Sequence, residues 1–81
     1  MAANTFHLII ASVGQTLFDG AALSVTLPGE GGMFEVLPHH EPVVATLKKG
    51  EISVRVAEET KTFAIDRGIL EMSGNRAIVL L

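Results

Sequence analysis

The chain has 81 residues, 48% of them hydrophobic, and a formal net charge of −3 from six Lys or Arg against nine Asp or Glu. That length predicts one domain, residues 1–81, which buries roughly 60 to 65% of the surface its unfolded form exposes. Scattered cations without Tyr or Trp exclude a nucleic-acid footprint, and the lack of Cys excludes disulfides, thiolate metal sites and Cys nucleophiles together.

At the N-terminus, Met1-Ala2-Ala3-Asn4 carries no basic stretch, and no apolar run in the chain approaches the ~20 residues of a membrane span. A soluble, unexported chain without direct membrane insertion is expected. Thr5 to Ser12 alternates Phe6, Leu8 and Ile10 with His7, Ile9 and Ala11, which predicts a strand inside a sheet. Val13 to Thr16 reads as a turn, Leu17 to Gly20 as a short extended piece, and Ala22 to Leu27 as a strand with Leu23, Val25 and Leu27 inward and Ser24 and Thr26 outward.

Leu27 to Gly50 concentrates the breakers. Pro28 lacks a donor and Gly29, Gly31 and Gly32 admit turn geometry, so a loop is expected from Pro28 to Gly32. Met33 to Leu37 reads as a strand with Phe34 and Val36 on one face and Glu35 on the other. Pro38-His39-His40-Glu41-Pro42 fixes φ at both ends of a stiff corner, Val43 to Leu47 is the next strand, and Lys48-Lys49-Gly50 is a polar turn. Glu51 to Val56 is the clearest amphipathic strand. Ala57 to Thr60 turns the chain into Lys61 to Ile65, Asp66-Arg67-Gly68 interrupts the pattern, and Ile69 to Met72 and Arg76 to Leu81 flank a turn at Ser73-Gly74-Asn75. No window holds a 3.6-residue apolar period over three turns. The chain is therefore expected to be all-β, a two-sheet antiparallel sandwich of about ten short strands, with Phe6, Leu8, Ile10, Val25, Phe34, Val36, Ile52, Val54, Phe63, Ile65 and Ile78 in its core.

Catalytic readings are weak. His39-His40-Glu41 has metal-ligand chemistry, but adjacent side chains diverge, and chelating pairs sit at i, i+2 on strands. Gly29-Glu30-Gly31-Gly32 lacks the Lys-Ser/Thr ending and following helix of a phosphate loop, and puts a carboxylate where the anion would lie. No Ser has a Gly-x-Ser-x-Gly setting. No catalytic, cofactor-binding or metal residue is expected, and the residues by themselves read as a non-catalytic binding module.

Phe6-His7-Leu8, Leu17-Phe18-Asp19-Gly20, Leu27-Pro28-Gly29-Glu30-Gly31, the run Phe34-Glu35-Val36-Leu37-Pro38-His39-His40-Glu41-Pro42, Thr46 to Gly50, and Gly68-Ile69-Leu70-Glu71-Met72 stand in an order that resembles the N-terminal domain of the epsilon subunit of F-type ATP synthase. The resemblance covers nearly the whole chain. It implies a ten-stranded sandwich in a hetero-oligomeric rotor, docked on the gamma subunit and resting on the ring of c subunits, for proton- or sodium-coupled ATP synthesis. Such a subunit is not an enzyme, since catalysis lies on other subunits. It would lie peripherally at the cytoplasmic face of the bacterial plasma membrane. Carried over by position, Glu30, Gly31, Gly32 and Met33 match the part that meets the c ring, and Ser12, His40 and Ala45 match the gamma-facing side.

The sequence departs from that pattern in two places, since the family commonly has Gly at the positions of Glu35 and His39. The helical hairpin that usually follows the sandwich has no counterpart up to Leu81, so docking without braking of ATP hydrolysis is expected. The alternatives are a small β-barrel metal-binding enzyme, which needs His39, His40 and a third ligand to converge, and a lipoyl-type carrier domain, which needs a lone Lys on a hairpin tip where this chain has Lys48-Lys49.

Overall fold

A computed structural model describes residues 4–81, and Met1 to Ala3 lie outside the described residues. The strands are β1 (Phe6–Ser12), β2 (Gln15–Ala22), β3 (Ser24–Gly29), β4 (Gly32–Val36), β5 (Val43–Leu47), β6 (Gly50–Val56), β7 (Glu59–Ile65), β8 (Gly68–Ser73) and β9 (Arg76–Leu80). These nine form one continuous sheet in the order β2-β1-β9-β8-β5-β3-β6-β7, with β4 paired to the other side of β3. The sheet curls into a sandwich. β3 belongs to both layers, pairing β6 through Ser24, Val25 and Thr26 and β5 at Gly29. All pairs are antiparallel except β1 with β9, whose parallel register sets Leu8 beside Ala77 and Ile10 beside Val79.

The all-β class and the sandwich are as the alternation predicts, with nine strands among the described residues and one parallel pair. Phe6, Leu8, Ile10, Val25, Val36, Ile52, Val54 and Ile65 are buried as expected, joined by Ala22, Leu27, Leu47, Leu70, Met72, Ala77 and Val79. Three expectations about the core are corrected. Phe34 and Phe63 are half-buried and pack against its margin. Ile78 faces outward, because Ala77-Ile78-Val79-Leu80 is apolar in both phases and pairing with β1 turns Ala77 and Val79 inward.

Pro28 also departs from the expected loop, since it lies inside β3. Within a strand the N–H and C=O of one residue point to the same side. The Pro28 carbonyl accepts from the Lys48 N–H (2.8 Å), so its donor-less nitrogen points into the gap where β3 leaves β6 for β5. No ladder bond is lost. The turn shrinks to Glu30-Gly31, closing a hairpin in which Gly29 pairs with Gly32. Likewise β2 runs on to Ala22, and Leu23 forms the bend into β3, leaving Ser24 buried rather than outward.

Candidate functional site

The expected site residues fall in three places. Glu30, Gly31, Gly32 and Met33 form the β3–β4 hairpin tip, pinned to β5 by the Glu30 N–H donating to the Thr46 carbonyl (3.0 Å). A Cβ on Gly29 would stand 2.7 Å from the Phe34 ring, so glycine is what lets that ring lie across the hairpin. The tip therefore offers a fixed backbone with an exposed Glu30 carboxylate and an exposed Met33. Ala45 is on β5 beside it, and the two share an open cleft of about 420 Å³ lined also by Phe34 and Thr46. A second open cleft, about 460 Å³, continues from Glu30 past Thr46, Arg67, Ile69, Leu80 and Leu81.

Ser12 ends β1 and is half-buried near that same end, where the Leu81 N–H donates to the Ala11 carbonyl (2.9 Å). His40 lies elsewhere. It is exposed in the corner between β4 and β5, with its N–H donating to the Leu37 carbonyl (3.2 Å) and its Nδ1 2.8 Å from the Glu41 carbonyl oxygen. Ser12, His40 and Ala45 are thus spread over the molecule, while Ala45 and the hairpin tip are brought together.

The outer face of β5, β8, β9 and β1 adds a surface that residue-by-residue reading missed. Register places Val44, Glu71, Ile78 and Ile9 in one outward row and Thr46, Ile69, Leu80 and Ala11 in the next. Val44 is 72% exposed, Leu80 59% and Ile69 50%. Polar residues gather toward the other end of this face. His7 sits beside Arg76 in register, and its Nε2 is 2.6 Å from an Asp19 carboxylate oxygen. The apolar strip could have been found by reading the second phase of each strand.

Among the described residues no three His, Cys, Asp or Glu side chains come together as a metal site would require, and His39 and His40 meet no third ligand. Lys48 and Lys49 connect β5 to β6, and the Lys48 N–H is bonded back to β3, which is not the free hairpin tip of a carrier lysine. The chain is of the class of small all-β sandwich domains, here with an exposed hairpin tip, a proline-bounded corner and an apolar strip.

The comparisons make the class specific. Residues 5–81 match the family of the ATP synthase, Delta/Epsilon chain, beta-sandwich domain, and the chain belongs to that family. An ATP synthase epsilon chain of Chlorobaculum tepidum is 40% identical over 76 residues, covering 93% of this chain and 86% of the relative. One from Chlorobium limicola is 36% identical with the same coverage. One from Delftia acidovorans is 35% identical over 95% of this chain, which spans only 56% of that relative's length. Among solved structures, the Euglena gracilis mitochondrial ATP synthase OSCP/F1/c-ring contains a similar chain, with a TM-score of 0.89 over 95% of this chain and 50% of that one at 16% identity. The central stalk and c-ring of the Tetrahymena thermophila enzyme contains another, with a TM-score of 0.76, 13% identity and 91% and 60% coverage. At those identities the structural likeness is one of fold.

Proposed function

We propose that the chain is a non-catalytic central-stalk subunit of an F-type ATP synthase, linking the gamma subunit to the ring of c subunits in ion-coupled ATP synthesis, with protons or sodium as the coupling ion. Family membership supports the complex, and the description of one fold neighbour as central stalk and c-ring, and of another as OSCP/F1/c-ring, supports the place within it. On this reading the subunit is peripheral, at the cytoplasmic face of a bacterial plasma membrane, and nucleotide chemistry is carried out by other subunits. Glu30, Gly31, Gly32 and Met33 meet the c ring, and Ser12, His40 and Ala45 face gamma.

One geometric observation carries the linking role. The corner and the hairpin tip lie at opposite ends of β5, which starts directly after Pro42 and meets Glu30 through Thr46. A five-residue strand spans about 16 Å. His40 and the tip can therefore be engaged at once on a sheet whose close-packed interior resists bending, while Ala45 and Ser12 place the rest of the gamma-facing set toward the tip end. The test is to add this 81-residue chain to a catalytic complex depleted of its epsilon subunit and to follow retention on gamma, then recovery of coupling to the c ring. Retention on gamma with restored coupling is expected. Passage of the chain through unbound would remove the central-stalk assignment.

A further inference from the structure

The corner at Pro38–Pro42 has few ways to hold its shape. Pro38 and Pro42 have no N–H, and the His40 N–H is spent inside the corner on the Leu37 carbonyl. Of the two N–H groups that remain, on His39 and Glu41, the one that reaches another element is that of His39, which adopts a left-handed backbone (φ 63°) that side-chain-bearing residues avoid. Its N–H donates to Oδ1 of Asn75, 2.7 Å away and 36 residues along the chain. Among the described residues this is the one hydrogen bond from residues 38–42 to another element.

Asn75 is built for the task. With Gly74 (φ 59°) it forms the β8–β9 turn, itself left-handed at φ 60°. Its Nδ2 donates to the Thr5 carbonyl (3.0 Å) and its own carbonyl accepts from the His7 N–H (3.2 Å). One partner is a donor and the other an acceptor, so only one orientation of the amide satisfies both. The residue ties three chain segments together and is half-buried between them.

We propose that Asn75 is the positioning residue of the gamma-docking corner: its side-chain oxygen locks His39 in the left-handed conformation and so fixes where His40 is presented. The proposal deepens the docking role given above to His40 and rests on it. A corner left free would have to be ordered on binding, and that ordering would weaken the complex.

Two variants isolate the oxygen. Asn75→Asp keeps the acceptor for His39, and Asn75→Gly removes it. Both tolerate the left-handed backbone, and both lose the bond to Thr5. Amide hydrogen exchange of His39 is measured alongside affinity for isolated gamma, well below the melting temperature, with the Val79 amide in the core as control. In Asn75→Gly the His39 amide should exchange about tenfold faster and gamma affinity should fall about fivefold to tenfold, the scale expected for losing one hydrogen bond, with Val79 unchanged. Asn75→Asp should match the parent in both. An unchanged His39 exchange rate in Asn75→Gly would overturn the proposal, as would faster exchange with unaltered gamma affinity, or equal weakening by both variants. If the parent chain itself fails to bind gamma, the docking reading falls, while the exchange arm still decides whether Asn75 holds the corner.

Discussion

The rings of Phe18 and Phe63 meet edge to face, with centroids 6.3 Å apart and planes at 68°, although they sit on β2 and β7, the two ends of the sheet order. A twisted sheet of this many strands must curl or split to cover its apolar side. Here it curls until its terminal strands touch. Both rings pack against the buried cluster from its margin, so the pair closes the sandwich without being its centre.

The energetic consequence can be measured. A double-mutant cycle with Phe18→Ala and Phe63→Ala, followed by urea unfolding, should give a coupling of about 0.5–1.5 kcal/mol, as for edge-to-face pairs elsewhere. Additive losses would mean that the two rings stabilise their own strands independently and that closure relies on other contacts.

Gly29→Ala should cost about 1–3 kcal/mol, because the new methyl would stand 2.7 Å from the Phe34 ring and 2.9 Å from the Gly32 carbonyl oxygen. Adding Phe34→Leu should recover part of the loss, since it removes the ring and leaves the backbone contact. Thermal unfolding of the single and double variants checks this. An undiminished loss in the double variant would assign the whole effect to the hairpin backbone.

His39→Gly should leave stability unchanged or raise it by up to about 1 kcal/mol. It relieves a left-handed residue of its Cβ while keeping the N–H that Asn75 accepts, and the added freedom of the unfolded chain offsets part of the gain. The resemblance noted in the sequence, in which Gly is common at this position, has the same physical cause. A loss above 1 kcal/mol in a melting experiment would show that the exposed imidazole makes a contact that stabilises the fold.

Much of this architecture was legible because one face of most strands is buried and alternation then fixes the phase. Val43–Leu47 has the bounds that its pattern predicts, and the strand predicted over Glu51 to Val56 begins one residue earlier, at Gly50. What escaped depended on partners. Pro28 reads as a breaker until β3 is seen to change neighbours beside its nitrogen, and Ile78 cannot be phased against Ala77 and Val79 without β1. The hairpin tip was readable from its glycines, whereas Asn75 reads as an ordinary turn residue. Its bonds to His39 and Thr5 cross 36 and 70 residues, and no local pattern announces them.

The hairpin tip separates recognition from stability, which makes its role testable. Glu30 contributes to the fold through its N–H, bonded to Thr46, and its side chain is exposed. Glu30→Lys keeps the backbone bond and reverses the charge, so the change in stability should stay within about 0.5 kcal/mol. Glu30→Pro removes the N–H and should destabilise by roughly 0.5–1.5 kcal/mol even if φ is accommodated. If the tip meets the c ring as proposed, Glu30→Lys should slow association and alter its salt dependence, since an exposed rim charge acts mostly on encounter. The measurement is binding of each folded variant to isolated c rings over a range of ionic strength, beside its melting curve. Parent-like binding by Glu30→Lys at low salt would take the Glu30 carboxylate out of the contact, and weakening by Glu30→Pro alone would place recognition in the shape of the tip.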